Sequence, residues 1–488
     1  MTIRVGAPIP GGQRIHGARK GPPPGLGVRR GGKRREKKKS NNIRTVVLVV
    51  AIAFLFLFTP AQERISNQLE KWLQDFLDEF GPAREYPVHA TYTVERHVSL
   101  FNPYSDHSIS FNYELPIPTM RTDFGISMDG FESVNDVTYP VMMLQDVVSM
   151  IAHTEGSENY VNIPTEEGIL WEDDAIELDT LSVIYWPPVG GNSERCSVQR
   201  CAIWQGEIPP YQTITLTVQY DVTSSSYSWY GGSLLPDEVP RSPEGFSIYS
   251  DNAGTYADYD RDGRLDTMYD QFGMHQQWYD RDTGQGRNWA IDGVHPVVTE
   301  LANEIESGLD SDDNPYEFAH AAFIKIRDTI TYFKGLDTAR SGPDCITAMI
   351  GDCDEQSNAW MSLLRTRNIP SWYEFGPMAD SRFTQWEPHA WANAIFPLST
   401  EFCDMHEIQI DSCFVEGEVD VVNNRWLSHT PTTITEWIEQ PSNLGEAAYD
   451  FYRPLSIGCS ECWFESWETI GEPLIEGGYY RVPERIGM

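Results

Sequence analysis

The first strong pattern along the chain is an uninterrupted apolar run between Thr45 and Ala61, which contains no charged residue. A helix of this length extends about 25 Å at 1.5 Å per residue, close to the roughly 30 Å hydrocarbon core of a bilayer. The run therefore predicts a transmembrane helix over residues 45–61. The alternative is a signal peptide cleaved after Ala61, which the length of the leader at residues 1–44 disfavours.

The next pattern has apolar residues at spacings of three and four, which is the period of an amphipathic helix. It predicts a stalk helix over residues 62–82. The apolar stripe is expected to pack on its own chain, and dimerisation through the stalk is the alternative. The stripe consists of Ile65, Leu69, Trp72, Leu73, Phe76, Leu77 and Phe80.

After the stalk the apolar period changes from about 3.6 to 2, which is typical of half-buried strands. We predict an antiparallel β-sandwich over residues 83–235 from these alternating segments. Cys196 and Cys201 flank a short loop in this region, and a disulfide between them is expected in an oxidising compartment. The alternating residues are Ile109, Phe111, Tyr113 and Leu115, and then Ile214, Leu216, Val218, Tyr220 and Val222.

An acidic linker is predicted over residues 236–298. Four aspartates in it follow the spacing D-x-D-x-D-G-x-x-D, in which carboxylates converge on a hard cation and glycine permits a sharp turn. The spacing predicts a structural calcium ion that braces the join between two domains, and a solvated acidic turn is the alternative. The expected calcium ligands are Asp258, Asp260, Asp262 and Asp266.

Helical and strand-like patterns then follow one another over residues 299–440 and place two reactive side chains at the ends of elements. Cys353 precedes a helical pattern, so its thiol is expected at a helix N-terminus, where the helix dipole lowers a thiol pKa. His389 opens an alternating strand about 35 residues later. A histidine at a strand end is able to face a cysteine at a helix start.

The segment GDCDEQSNAWMSLLRTRNIPSWYEFG, followed by PHAWANAIF, resembles the core of the transglutaminase-like superfamily. The resemblance covers roughly residues 299–440 and is to a membrane-anchored member of prokaryotic or archaeal type. It implies a papain-like α+β fold in which Cys353 is the nucleophile and His389 its general base. The implied chemistry is acyl transfer or amide hydrolysis through a thioester, with no organic cofactor.

The third residue of the implied site departs from the family pattern. The family normally carries an aspartate four residues after a tryptophan and ahead of Pro-Thr, where it orients the histidine. In this chain that position, four residues after Trp426, holds Thr430, whose hydroxyl could accept a hydrogen bond from the imidazole. Asp420 and Asp411 are alternatives that the sequence alone does not place in the site.

Charge is strongly segregated along the chain. There are 36 Lys and Arg against 72 Asp and Glu, yet thirteen of the basic residues lie before Thr45, where Glu36 is the only acid. Residues 1–44 are accordingly predicted to be a disordered cytoplasmic tail, and the acidic body is predicted to be extracytoplasmic in a single-pass membrane protein. The acidic body excludes a nucleic-acid-binding core, because phosphate contacts need clustered Lys and Arg.

The eight cysteines leave the disulfide pairing open. If cysteines pair with their near neighbours in sequence, Cys345 and Cys353 remain unpaired. A disulfide between these two would block the nucleophile and make reduction an activating switch, whereas Cys345 as a buried thiol would leave it open. The local pairs are Cys196 with Cys201, Cys403 with Cys413, and Cys459 with Cys462.

The predicted organisation ends with a C-terminal segment at residues 441–488, in which Trp463, Phe464 and Trp467 are expected to cover the catalytic domain. Three functions fit the whole pattern. The first is a membrane-anchored cysteine enzyme acting on proteins or peptides at the cell surface. The second is a catalytically impaired transglutaminase-like scaffold, and the third is a calcium-braced binding or adhesion ectodomain.

Overall fold

The structure is a computed structural model of the chain. It describes residues 83–121, 145–165, 175–185, 199–229, 248–260, 278–279, 281, 290–334, 340–407, 414–439, 455–457 and 462–483. The predicted tail (1–44), membrane helix (45–61) and stalk (62–82) lie outside these residues. Within the part of the chain that is described, no helix is both long enough and apolar enough to cross a membrane.

Strands make up most of the regular structure. In chain order they are β1 (Ala83–Phe101), β2 (Ile109–Arg121), β3 (Asp146–Thr154), β4 (Val161–Asn162), β5 (Ile176–Glu177), β6 (Ser182–Tyr185), β7 (Gln199–Ile208), β8 (Thr213–Ser225), β9 (Tyr227–Ser228), β10 (Thr331–Tyr332), β11 (Ile350–Gly351), β12 (Ser371–Ala379), β13 (Trp386–Pro397), β14 (Phe414–Asp420), β15 (Arg425–Trp426), β16 (Ser428–His429), β17 (Trp437–Ile438), β18 (Leu455–Ile457) and β19 (Trp463–Pro483).

The α-helices of the described residues all lie in the second half of the chain. The side chain of Asn314 accepts the backbone N–H of Glu317 at 3.1 Å and begins the second helix, with Pro315 at its first position, as the sequence predicts. In chain order the helices are α1 (Pro296–Glu306), α2 (Pro315–Thr329), α3 (Gly342–Ala348), α4 (Cys353–Arg365) and α5 (Thr400–Met405).

Two five-stranded antiparallel sheets form the first half of the fold. Their strand orders are β19-β1-β8-β3-β4 and β18-β2-β7-β6-β5. The apolar side chains of both sheets share one buried cluster, which includes Val98 from β1, Tyr113 from β2 and Val218 from β8. Because buried and less buried positions alternate along β1, each sheet turns one apolar face to this cluster. The strands thus form a β-sandwich, as their period of two predicts.

The C-terminal segment is part of this sandwich. Strand β19 pairs with β1 from Trp463 opposite Leu100 to Pro483 opposite Ala83. Trp467 is buried in the same apolar cluster as the sandwich strands. That cluster also holds Ala379, Phe383 and Ile434, so Trp467 shares a core with both the sandwich and the region at 299–440. Strand β19 completes a sheet that otherwise would end at β1, and the covering of the catalytic domain by this segment stays a prediction.

The second half of the fold is built around helix α4 and a five-stranded sheet of order β15-β14-β13-β12-β17. Helices α1 and α2 pack with α4 in a large apolar cluster that also holds sheet residues such as Ala392 and Val419. Trp360 of α4 donates its indole N–H to the backbone oxygen of Ala319 in α2 at 3.0 Å. The helices lie together and the sheet is antiparallel, which is the α+β arrangement that the resemblance implies.

A buried ion pair joins the two halves. Arg96 of β1 contacts Glu436 at 2.9 Å and Glu465 of β19 at 2.9 Å, and the Arg96 and Glu436 side chains are both 0% exposed. Residues 83–488 form one compact unit, so this contact lies inside a continuous body. The second half of the chain is therefore anchored to the sandwich by charge as well as by apolar packing.

Candidate active site

Cys353 is the first residue of α4, where the sequence predicts it. The Glu355 carboxylate accepts the backbone N–H of Asp352 at 2.8 Å, and Gln356 donates its side-chain amide to the Gly351 oxygen at 2.9 Å. These bonds fix the turn that enters the helix, as a capping glutamate does at other helix starts. The thiol is free and half-buried. Cys353 is therefore held at a hydrogen-bonded helix start, and its thiol is not in a disulfide.

His389 and Asp420 meet in the sheet beside that helix end. His389 lies on β13, where it pairs with Gly376 of β12, and Asp420 is the last residue of β14. The Nε2 atom of His389 is 2.8 Å from Oδ2 of Asp420, and both side chains are buried. The register of β13 and β14 pairs Ala392 with Val419, which brings the two functional side chains side by side.

Asp420 is a well-supported hydrogen-bond acceptor. Besides His389, Asn423 donates its side-chain amide to Oδ2 at 2.7 Å, Arg425 donates to Oδ2 at 2.8 Å, and the Asn423 backbone N–H reaches Oδ1 at 3.0 Å. Burial raises the pKa of the Asp420 carboxyl, but the charges of His389 and Arg425 and these hydrogen bonds outweigh burial and hold it well below its usual range. Asp420 is thus an anion that orients the imidazole.

Thr430 occupies the position where the family pattern has aspartate, and its hydroxyl contacts another threonine. Its side chain is buried, and its hydroxyl is 3.3 Å from the Thr432 hydroxyl. The carboxylate that contacts His389 is supplied by Asp420 from the neighbouring strand. Asp411, the other alternative, lies outside the described residues. The structure therefore brings His389 and Asp420 into contact, and the charge of Asp420 and a backbone hydrogen bond at Ala390 both act on the Cys353 thiol. Thr430 has its own hydroxyl partner.

The thiol of Cys353 has a higher pKa than the sequence predicts. Burial raises the pKa of Cys353 well above its usual value, and the charges of Asp354 and Asp352 raise it further, whereas a backbone hydrogen bond at Ala390 lowers it. The expectation that the helix dipole lowers this pKa is therefore wrong, because burial and two adjacent carboxylates act against the dipole. A thiol in this state is protonated at neutral pH and needs a base when it attacks.

The two carboxylates that flank the thiol interact with each other. Burial raises the pKa of Asp354 well above its usual value, and a hydrogen bond and the charge of Asp352 raise it further. The rise has a physical cause, because two adjacent carboxylates do not readily ionise together.

Cys345 does not form the disulfide that would block the nucleophile. Both Cys345 and Cys353 are free thiols, and Cys345 is fully buried. A Cβ at Gly351 would come within 2.7 Å of the Cys345 sulfur, so this glycine allows the chain to pass over the buried thiol. The hypothesis of a Cys345–Cys353 redox switch is therefore wrong for this structure.

Three other cysteines, Cys201, Cys403 and Cys462, are disulfide-bonded. The cysteines that the most local pairing assigns to them lie outside the described residues, so the pairing itself stays a prediction.

The acidic loop is described only at its start. The Asp258 carboxylate accepts the Thr255 backbone N–H at 2.6 Å and the Thr255 hydroxyl at 3.0 Å, and Asp258 lies within a 3-10 helix at Tyr256–Asp260. Asp258 thus acts as a cap of a short helix. The Asp260 side chain, Asp262 and Asp266 lie outside the described residues, and the calcium site stays a prediction.

Two other groups within the described part bring metal-ligating atoms within 4.8 Å of one another. One is Glu95, His97 and Glu468 on β1 and β19. The other is Asp352, Cys353 and Asp354 at the start of α4. Neither group includes the aspartates that the sequence predicts as calcium ligands.

A family model described as the transglutaminase-like superfamily matches residues 300–406. No curated protein sequence matches the chain. Among solved structures, a protein from Cytophaga hutchinsonii provisionally assigned as a cysteine protease is 11% identical with a TM-score of 0.37, over 82% of this chain and 100% of the other. A provisionally assigned protease from Parabacteroides distasonis is 9% identical with a TM-score of 0.18, over 72% of this chain and 68% of the other.

Residues 300–406 of this mixed α/β chain are thus similar to the transglutaminase-like superfamily. In this chain the matched region is joined to a β-sandwich, and Asp420, which contacts His389, lies beyond the matched residues. Sequence reasoning did not predict Asn423 and Arg425. The available signal was the short turn after β14, which returns the chain antiparallel and keeps Asp420 beside the residues that follow it.

Proposed function

We propose that this protein is a membrane-anchored, extracytoplasmic cysteine enzyme that transfers or hydrolyses acyl groups of proteins or peptides through a Cys353 thioester. The observation that carries the proposal is the buried 2.8 Å contact between His389 and Asp420 beside a free cysteine at a helix start. Papain-like sites activate a sulfur nucleophile with a histidine that a third side chain orients; that side chain is asparagine in papain-like proteases and Asp420 here. The position of the transglutaminase-like match supports the assignment.

The geometry supports the following sequence of steps. Asp420 accepts the hydrogen bond of His389 Nε2, which leaves Nδ1 to accept the Cys353 proton as the sulfur attacks the acyl carbon. The carbon–nitrogen bond breaks, His389 gives that proton to the leaving amine, and a thioester remains. Water or a second amine then attacks the thioester, with its proton passing through His389 to the sulfur. Backbone N–H groups at the start of α4 are suited to stabilise the negative oxygen.

The location proposed for this chemistry is the outer face of a cell membrane. The apolar run at 45–61 and the basic leader before it support an anchored chain with an external body. A calcium ion at the acidic loop is proposed to have a structural role only. Alkaline extraction of membranes and a calcium titration of thermal stability test these two points separately, and extraction of the chain without detergent would contradict the anchor.

The body contains few lysines, namely Lys71, Lys325 and Lys334 after residue 44. An amine acceptor in a transfer reaction is therefore expected to come from another molecule. A test supplies a glutamine-containing protein with and without a fluorescent primary amine, and measures ammonia release and amine incorporation. Ammonia release alone indicates hydrolysis, and incorporation indicates transfer.

The decisive experiment is detection of the thioester. The full chain is incubated with the same substrate, quenched in acid and analysed by mass spectrometry for an acyl group on Cys353. Cys353→Ala and His389→Ala are expected to abolish the adduct, whereas the buried thiol variant Cys345→Ser is expected to keep it. An adduct on another residue, or turnover that survives Cys353→Ala, would disprove the assignment.

A scaffold function is the second candidate, and the raised pKa of Cys353 is the observation that favours it. A protonated thiol flanked by Asp352 and Asp354 is a weak nucleophile unless a base acts on it. If the protein is a scaffold, Cys353 remains unmodified by substrates and by small thiol reagents, and Cys353→Ala leaves partner binding at the cell surface unchanged.

A further inference from the structure

Asp420 is in contact with a buried positive charge. Arg425 of β15 donates from Nη2 to Asp420 Oδ2 at 2.8 Å, and its Nη1 lies 3.8 Å from Oε2 of Glu418. The side chains of Arg425, Asp420 and Glu418 are at most 2% exposed. One guanidinium therefore stands between two carboxylates that face each other across it.

The contacts continue from Glu418 into the β-sandwich. Oε1 of Glu418 is 2.8 Å from Nδ1 of His429, and Nε2 of His429 is 3.0 Å from the Ser224 hydroxyl. Ser224 lies on β8, the strand next to β1 in the first sheet of the sandwich. These three buried side chains link Arg425 to a strand of the other half of the fold.

Strand β1 contacts the same place from a second direction. Arg84 donates to Oδ1 of Asn423, which turns the amide group of Asn423 towards Asp420. The ring of Tyr86 lies beneath the guanidinium of Arg425, 5.8 Å from ring centre to Cζ. The sandwich thus contacts the two side chains that donate to Asp420 besides His389.

The charges explain what this arrangement does. Two buried carboxylates without a cation between them would repel, and one of them would take up a proton or turn towards water. Arg425 prevents this because its guanidinium stays charged, donates to Asp420 and lies within ion-pair distance of Glu418. Asp420 consequently remains ionised and fixed in the orientation that receives the His389 N–H.

We propose that Arg425 is a positioning residue of the active site, held from the β-sandwich through Glu418, His429 and Ser224. The sandwich is then part of the apparatus that orients His389. This inference rests on the proposed roles of Cys353 and His389 and adds a residue to them.

The test measures how strongly His389 promotes the reaction of Cys353 with iodoacetamide between pH 5 and 10 in the full chain. The ratio of rates between wild type and His389→Ala is expected to be about 100 near neutral pH, as general-base assistance is worth about 10²-fold or more. In the Arg425→Met background the same ratio is expected to fall to about 3 or less. Such a coupled loss reports an interaction between the two residues.

Three further variants keep the test informative if Arg425→Met does not fold. Arg425→Met combined with Glu418→Gln removes one charge of each sign. In this background the ratio of rates with and without His389→Ala is expected to fall in the same way. Arg425→Lys, with the charge but only one donor group, is expected to keep an intermediate ratio. Ser224→Ala, at the far end, is expected to lower the ratio by about threefold or less.

The matched control is Arg365→Met. Arg365 is also a buried arginine paired with a glutamate, Glu439 at 3.3 Å, but it ends α4 about 18 Å from Cys353 along the helix axis. Arg365→Met is expected to lose stability and to keep the wild-type ratio of rates with and without His389→Ala. If the folded Arg425 variants also keep that ratio, Arg425 has only a structural role and the inference fails. If His389→Ala leaves the wild-type rate unchanged, the proposed function fails, and this inference fails with it.

Discussion

The imidazole of His389 contacts the carboxylate of Asp420 at 2.8 Å, although 31 residues separate them in the chain. The contact depends on the pairing of β13 with β14, which brings residues of the two strands together. Because Nε2 of His389 lies against Asp420, Nδ1 is the ring nitrogen left for another partner.

Asp420→Asn is expected to slow the reaction of Cys353 with iodoacetamide by about 10²-fold near neutral pH. The amide can donate to His389 where the carboxylate accepts, so the imidazole loses the tautomer that faces the thiol with a free lone pair. Second-order alkylation rates measured across pH check this. A wild-type rate in a folded Asp420→Asn protein would show that the contact has no part in activating the thiol.

Thr430→Ala is expected to leave the same rate within about twofold, because surface and minor buried changes away from a site rarely couple to it. The hydroxyl of Thr430 contacts Thr432 in the structure. Comparison with Asp420→Asn therefore decides which of the two residues orients His389. A large loss of rate in Thr430→Ala, with Asp420→Asn unaffected, would restore the role that the family pattern assigns to Thr430.

Asp352→Asn is expected to make Cys353 react about tenfold faster at pH 7, as a fall of one pKa unit does for a largely protonated thiol. The charge of Asp352 raises the pKa of Cys353, after burial and Asp354. Asparagine preserves the N-cap, so the helix start should remain intact. Asp404→Asn, at an exposed aspartate on α5, controls for the loss of one negative charge. An unchanged pH profile of the Cys353 alkylation rate in Asp352→Asn would contradict the prediction.

Glu436 is expected to make the protein less stable as pH rises from about 4.5 to 7. Burial raises the pKa of Glu436 to about 7, while Arg96 opposes and Glu465 assists the rise. Since the ordinary value is 4.5, the folded state binds more protons than the unfolded state in this interval. Its stability therefore falls by about 3 kcal/mol in total as pH increases through it.

Chemical denaturation at several pH values measures the free energy of unfolding, and its pH dependence is compared between the wild type and two variants. Glu436→Gln is expected to flatten the dependence by removing the titrating group, whereas Glu476→Gln, an exposed glutamate on β19, is expected to keep it. Parallel pH dependences in the wild type and Glu436→Gln would count against the prediction.

Thiol counting is expected to give one reactive cysteine in the native protein without reductant and two after denaturation. Cys353 is half-buried and free, and Cys345 is free and fully buried. Cys353→Ala should remove the native label and leave one label after denaturation. No label in either state would indicate the Cys345–Cys353 disulfide, and mass spectrometry of the labelled peptides identifies the residue.

Local sequence signals predicted the positions of Cys353 and His389 because each depends on neighbours within a few residues. Cys353 begins α4 as the pattern predicts, and His389 lies on a strand as predicted, although that strand already begins at Trp386 and is buried without alternation from His389 onward. The alternation of apolar residues in β1 and β8 likewise follows from the side-chain period of a strand. These features could be predicted because the physics that creates them acts within one element.

The charge of the site was not predictable in this way. The thiol pKa depends on how deeply α4 is buried and on where Asp354 turns its carboxylate, and both are set by packing against the rest of the domain. The sequence showed a helix dipole acting on Cys353, but it did not show the cost of removing water from the thiol. Burial is a property of the whole fold, so the sign of the shift could be read only from the tertiary structure.

By itself, the sequence determined the segregation of charge, the period of two in the sandwich strands, the helix start at Cys353 and the presence of a strand at His389. Only the tertiary structure decided that Asp420 orients the histidine, that Arg425 lies between Asp420 and Glu418, and that β19 pairs with β1 from the far end of the chain. The physical reason is that these contacts join residues distant in sequence. These contacts are fixed by strand register and by the pairing of buried charges. Neither produces a periodic pattern of residues in the sequence.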